Sequence, residues 1–300
     1  MSMRYQAGIV LPGYNALKVP DAPTIGTATA GGGSASVTFT APADVGGGAI
    51  TGYSVVSTPG GVIGTGASSP VTVSGLTAGT AYTFKVWATN AYGPSPLSAA
   101  SNSATPIPVI GSALGGGYFA GQISTAGNGI ADYNLVVGPV ASAQSTLQWK
   151  IVNTSTTGTS SVIDGPANSA AMNDVTHPAA QFCEGLTVGS QTDWYMPAKN
   201  ELEVCYYNLK PTTASNSTGS GANTNAVPSR GNYSGGNPQQ TTAAAFITST
   251  GAEAFINNSY WASTQFSATE GRQQDFNGGY QGYGAKNGSV SVRAIRRVAV

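Results

Sequence analysis

Apolar and polar side chains alternate through Ala35-Ser36-Val37-Thr38-Phe39-Thr40, the period of a strand with one buried face. The pattern returns at Ala49–Val56, after the turn Gly46-Gly47-Gly48, and again at Val71–Val73. Its longest run is Ala81–Asn90, where Tyr82, Phe84, Val86 and Ala88 fall on one side. Short strands at this spacing between Gly and Pro turns predict an all-β sandwich over residues 20–106. Ahead of it, residues 1–19 form an apolar arm broken by Pro12 and Gly13, too short for a core of its own. Behind it, Pro106 and Pro108 stiffen a linker expected at 107–111.

The period changes in the remaining region, 112–300. After the glycine turn Gly115–Gly117, strands are predicted at Tyr133–Val137 and Leu147–Ile151. A helix is predicted over Asn168–Gly185, with Ala171, Ala179, Ala180, Phe182 and Cys183 as its apolar stripe. A second helix is better marked. Pro197 stands at its start, Glu201, Leu202, Val204, Cys205 and Leu209 keep helical spacing, and Pro211 stops it. The polar stretch Thr212–Gln240 has no period and reads as a long loop, and further strands are expected at Phe246–Ser249 and Tyr260–Thr264.

Composition narrows the functional classes. Charged residues are 8% of the chain, against about 25% in an ordinary soluble domain. The 12 basic and 12 acidic side chains cancel, and no basic stripe is present, so neither nucleic acid nor an anionic membrane surface is an expected partner. No apolar run approaches the ~18 residues that span a bilayer, so no membrane insertion is expected. Met1–Leu11 begins like a signal peptide, but Pro12-Gly13-Tyr14-Asn15 interrupts it, and the segment is expected in the mature protein. Cys183 and Cys205 lie in apolar helical contexts without metal-ligand spacing and are expected as buried free thiols.

Two stretches carry family resemblances. Leu76, Gly79-Thr80-Ala81-Tyr82, Val86, Ala88, Asn90, Gly93, Ser95 and Ser98 resemble the second half of a fibronectin type III domain. That resemblance implies an Ig-like sandwich of seven strands with Tyr82 as its tyrosine corner, and Phe39 in place of the usual core tryptophan. Asp193-Trp194-Tyr195-Met196-Pro197-Ala198-Lys199-Asn200-Glu201-Leu202, Tyr260-Trp261-Ala262-Ser263-Thr264 and Val290–Arg297 resemble a C-type-lectin-like fold of bacterial surface and phage receptor-binding proteins. The family usually has Ser at Ala262 and Arg-Leu at Tyr195-Met196. This second resemblance implies two helices flanking a small antiparallel sheet, a long exposed loop region, a closing hairpin and Trp261 in the core. The expected fold class is therefore mainly β with an α+β C-terminal part. Arg293 and Arg296 are expected to pair with acids or backbone and hold the last strand.

Catalytic candidates are few. His177, the single histidine, precedes Pro178 at an expected helix start, and no nucleophile or metal partner can be read beside it. Asp193, Glu201 and Glu203 are the densest acids and could form a glycosidase pair. Turn chemistry before Trp194 and the dipole of the following helix explain them more simply. Calcium-binding lectins use Glu-Pro-Asn or Gln-Pro-Asp and a following Trp-Asn-Asp. Asn237-Pro238-Gln239 and Trp261-Ala262-Ser263 lack those carboxylates, so no metal, no cofactor and no enzymatic activity is expected.

What remains is a surface. The segment 256–288 mixes Tyr, Asn, Gln, Ser and Gly, residues that give rigid contact area and adaptable hydrogen bonds. Its expected ligand-binding residues are Phe266, Arg272, Gln273, Asp275, Asn277, Tyr280, Tyr283 and Lys286. A β-sandwich spacer with a lectin-like tip and very low charge resembles phage head fibres, capsid decorations and tail adhesins. That implies a place on the virion surface, docking to virion proteins through the N-terminal arm, and a host cell-surface glycan or protein as ligand. Homo-oligomerisation is left open. An extracellular bacterial adhesin is the alternative, and a carbohydrate-active enzyme with an accessory module is a third class.

Overall fold

Period-two sequence forms period-two structure in the N-terminal third. In a computed structural model of the chain, residues 17–300 are described, and the chain divides into two units that meet at Pro108 and Val109. The first contains β1 (Thr24–Gly31), β2 (Ser34–Thr40), β3 (Gly52–Thr58), β4 (Ile63–Gly66), β5 (Val71–Ser74), β6 (Thr83–Asn90) and β7 (Gly93–Pro94). Two antiparallel sheets, ordered β1-β2-β5 and β4-β3-β6-β7, enclose one core. Ala35, Val37 and Phe39 of β2 face Phe84, Val86 and Ala88 of β6 within it, and full burial of the valine and phenylalanine side chains contributes roughly 1.5–3 kcal/mol each. The Phe39 ring packs 4.7 Å from Tyr53, filling the space the sequence assigns to an aromatic.

Beyond the two-residue β7, the edge of β6 is closed without a regular strand. Ser95, Ser98 and Ser101 donate their amides to the carbonyls of Ala88, Val86 and Phe84, while their hydroxyls accept from the amides of the same three residues. A serine every third residue thus satisfies a strand edge that would otherwise invite pairing with another chain. The Tyr82 hydroxyl accepts from the Thr77 amide at 3.2 Å, locking the corner before β6.

Two boundaries differ from the sequence reading. Of the arm 1–19, residues 1–16 lie outside the described residues, but Lys18 belongs to the sandwich. Its amide donates to Gly46, its carbonyl accepts from Asn90 Nδ2, and its ammonium pairs with Asp44 at 2.9 Å. The expected linker 107–111 is divided: Ile107 exchanges hydrogen bonds with Gly31 and Gly33, whereas Gly111 donates to Phe119 of the second unit.

The second unit runs β8 (Ala113–Leu114), β9 (Gly117–Ile123), β10 (Tyr133–Val137), α1 (Val140–Ala143), β11 (Gln144–Gln148), α2 (Gly165–Ala170), α3 (Pro178–Glu184), α4 (Lys199–Leu209) and β12 (Ala226–Val227). A 3-10 turn, Ala244–Phe246, precedes β13 (Ser259–Gln265), β14 (Glu270–Asp275), β15 (Gln281–Ala285), β16 (Ser289–Arg293) and β17 (Ile295–Ala299). One sheet is ordered β12-β9-β10-β17, with β8 added to β9; the other is β11-β16-β13-β14-β15. The chain changes sheets at Ala294, between β16 and β17. Leu202, Cys205, Tyr206 and Leu209 of α4 join a core with Leu135, Val137, Phe255, Tyr260 and Phe276. A second core holds Trp149, Trp194 and Trp261 with Met172, Met196 and Cys183.

The single helix predicted at Asn168–Gly185 is broken in two. Pro178 lacks the amide an interior position needs and instead opens α3, while Thr176 donates to the Asp174 side chain in a tight turn. Ala171 is consequently exposed and leaves the predicted stripe. The strand predicted at Phe246–Ser249 is replaced by the 3-10 turn, whose Phe246 is buried against Tyr118. Both cysteines are buried and free, and burial pushes both thiols up.

Candidate functional site

The hairpin β14–β15 is the outer edge of its sheet. Its register sets Arg272 opposite Tyr283 and Gln274 opposite Gln281, so these four side chains share one face. Phe266, just beyond β13, leans over that face. Its ring stacks on Tyr283 at 4.1 Å with an interplanar angle of 11°, and the Arg272 guanidinium lies 4.3 Å over the same ring. Both cannot occupy one side of Phe266 at those distances. The order is therefore guanidinium, phenyl, phenol, a three-layer stack. Phe266 and Tyr283 are 41% and 50% exposed, and Tyr280, at the hairpin's tip, is 59% exposed. Cation–π contacts of this partly exposed kind are worth roughly 0.5–1 kcal/mol, enough to hold a long arginine in one orientation.

Three of the eight predicted ligand residues thus converge in the stack, and Tyr280 stands exposed beside it in sequence. The others have structural duties. Asp275 closes the hairpin: its carboxylate accepts from the Gly278 amide at 2.7 Å, and its backbone bonds both Tyr280 and Gly279. Gly279 is required there, because φ is +73° and a Cβ would sit 2.5 Å from the Tyr206 ring. Asn277 is exposed, and its carbonyl accepts from Thr212 Oγ1. Gln273 points to the opposite face, where its amide lies against Gly284. Lys286 is the clear correction. It is fully buried, its ammonium donates to the carbonyls of Thr154 and Ala268 and to Gln265 Oε1, and it lies 4.6 Å over Trp149. Burial, and then the neighbouring Lys150, lower its pKa to about 8. It clips two loops together and cannot meet a ligand.

Lys199, the first residue of α4, lies near the strand that carries Arg272 and is not among the predicted ligand residues. Its amide donates to Thr264 Oγ1, on the strand next to β14. Sequence spacing pairs Lys199 with Glu203 at i, i+4, but Glu203 turns inward and is taken by Arg230, Tyr233 and Asn223.

Glu201 and Glu203 are not surface acids of a first helical turn. Both are fully buried, and desolvation raises both above the usual carboxylate range despite their partners. Glu201 accepts from the Ala198 amide at 2.8 Å, the Tyr195 hydroxyl at 2.6 Å and Arg297. Asp193 holds Arg296 through two contacts of 2.7 and 3.0 Å. With every oxygen committed, these acids organise the fold and offer no glycosidase pair.

The fold also brings together a group that chain order conceals. Asp174 Oδ1 lies 3.0 Å from His177 Nδ1, and His177 Nε2 lies 2.9 Å from Thr156 Oγ1. Thr156 Oγ1 also accepts from the Lys150 ammonium at 3.0 Å, and the Asp174 side chain is half-exposed. Threonine's hydroxyl is already bonded on both sides, so the group reads as a pin between the 150–157 loop and α3. Among the described residues no cluster of three or more His, Cys, Asp or Glu side chains could hold a metal ion.

Comparison with known proteins bears on the first unit. Residues 21–104 match the fibronectin type III domain family, and the N-terminal unit carries such a domain. Among solved structures, titin kinase with its flanking domains is 32% identical over 29% of this chain and 17% of that one, with a TM-score of 0.25. The twitchin kinase region of C. elegans is 24% identical over 30% of this chain and 17% of its own, with a TM-score of 0.27. A human fibronectin type III domain is 22% identical over 36% of this chain and 96% of its own, also with a TM-score of 0.27. The chain spans 17–32% of the length of the titin and twitchin structures it matches. No curated protein matches it.

Proposed function

We propose that the chain is a bacteriophage virion surface protein, in which a fibronectin type III spacer carries a C-type-lectin-like domain that binds a host cell-surface ligand. The observation that carries this reading is the Arg272–Phe266–Tyr283 stack. Large aromatics and arginine are the residues that dominate binding energy at recognition surfaces, and here they stand preordered on an exposed sheet edge. Preordering lowers the conformational cost of binding, which favours a ligand site over an incidental surface. The motifs Asp193–Leu202, Tyr260–Thr264 and Val290–Arg297 support the lectin-like part of the reading. In the structure they supply the start of α4, the central strand β13 and the sheet-crossing strands β16 and β17.

Docking to the particle is assigned to the N-terminal arm, and a truncation that tests it must stop before Lys18, which the sandwich uses. Deleting residues 2–16 should leave both units folded and abolish incorporation into particles. Changing Tyr280 and Tyr283 together to Ala should reduce attachment to host cells without shifting the melting temperature. Unimpaired attachment of that double variant would refute the assignment of the face.

A further inference from the structure

We propose that the ligand of this face is an acidic saccharide, with its sugar ring on Tyr283 and its carboxylate or phosphate held by Arg272 and Lys199. This rests on the display reading above and narrows it to a chemical class.

The disposition of the chain's few cations supports it. Lys18, Arg230, Arg293, Arg296 and Arg297 pair with carboxylates. Lys150, Lys210 and Lys286 are capped by carbonyl, hydroxyl and amide oxygens. Among the described residues of the second unit, Lys199 and Arg272 have no carboxylate partner, and neither is capped by several oxygens. Lys199 Nζ donates to Asn200 Oδ1 at 3.2 Å, and Arg272 rests on the Phe266 ring. The two are neighbours. Thr264, which anchors the Lys199 amide, lies on β13 between the register pairs Trp261–Gln273 and Gln265–Gly271, next to Arg272. Burial lowers the pKa of Lys199 and the charge of Arg272 lowers it further, against a smaller opposing pull from Glu203. Like charges placed side by side cost stability, and an anion bridging them would reverse the sign of that contact.

The aromatic part selects the rest of the ligand. One face of Tyr283 is covered by Phe266, and the side chain is still 50% exposed. The negative face of an aromatic ring attracts the positively polarised C–H groups that line one side of a sugar. Arg272, resting over Phe266, carries a planar fork that matches a carboxylate or phosphate in two hydrogen bonds. Two cations in a chain of zero net charge are too few to track a nucleic-acid backbone.

The test uses the full chain on an array of neutral, carboxylated and phosphorylated saccharides. Titration follows with the strongest acidic saccharide and with its methyl-esterified or dephosphorylated counterpart. Binding is expected for acidic saccharides, with loss of about tenfold or more on neutralising the ligand, or in Arg272→Gln or Lys199→Gln. Lys199→Arg should retain binding, Tyr283→Ala should lose it, and added salt should weaken it, all with unchanged circular dichroism. Equal binding of the neutralised saccharide, unaffected by Arg272→Gln, would overturn the acidic class while leaving the display reading in place. Attachment to host cells without binding to any saccharide would do the same and point to a protein ligand. Loss of both would remove the two proposals together.

Discussion

Arg293 is the side chain whose replacement tests the C-terminal unit most directly. Fully buried, it donates through Nε to the Gly138 carbonyl at 2.8 Å. It also donates through Nη1 to the Glu253 carbonyl at 2.7 Å and through Nη2 to Glu253 Oε2 at 2.8 Å. The guanidinium also lies 4.7 Å over Phe255. Arg293→Met keeps most of the packing volume but leaves two backbone carbonyls without their donor. Each orphaned acceptor costs about 1–3 kcal/mol, and breaking a buried pair by removing one partner costs about 3–5 kcal/mol. These overlap. Glu253 still accepts from the Val140 amide and is 14% exposed, which moderates the loss. The expected destabilisation is about 3–5 kcal/mol, or a fall in melting temperature of roughly 6–20 °C for a unit of this size. Urea unfolding followed by tryptophan fluorescence is suited to the measurement, because Trp149, Trp194 and Trp261 are all buried in this unit. Arg293→Lys, which keeps charge but not the three-way fork, should fall between parent and Met. A Met variant within about 0.5 kcal/mol of the parent would show that Arg293 does not join these segments as its geometry implies.

Further outcomes follow from the same contacts. Trp261→Ala should unfold the second unit at moderate temperature, with a loss of about 3–5 kcal/mol, since the ring is fully buried and its Nε1 donates to Leu147. Tyr82→Phe should cost the first unit about 0.5–1.5 kcal/mol, the worth of the bond to Thr77, measured by chemical unfolding of that unit. Lys286 gives a pH dependence. Between its folded pKa of about 8 and its ordinary 10.5 the unfolded chain binds more protons, so this group makes stability rise with pH across that window. Unfolding midpoints of the parent should therefore rise relative to those of Lys286→Met as pH climbs through it, and parallel profiles would contradict the assignment.

The sandwich was legible because its information is local. Alternation in Ala35–Thr40 and Ala81–Asn90 dictates which side chains turn inward, and any partner sheet with an apolar face completes the core. The same holds for α4, bounded by Pro197 and Pro211 and marked by its apolar spacing. Local pattern failed where a single proline outweighed it, as at Pro178, and where a strand-like run at Phe246 met a turn. Burial of charge was beyond it altogether. Glu201 and Glu203, two apart on a helix, should not both be inside. They are, because sheets cover one side of α4 and the 216–233 loop covers another, supplying Arg297, Asn223, Arg230 and Tyr233. Lys286 looked like a binding cation in the sequence and became a buried clip through oxygens at 154, 265 and 268. The candidate site lies between these extremes. Composition singles out the 256–288 segment as a candidate surface, but the hairpin register alone sets Arg272 beside Tyr283, and strand adjacency brings Lys199 near Arg272. Neighbours along a chain share a period, whereas charges find their partners across folded distances, and no period in the sequence records those.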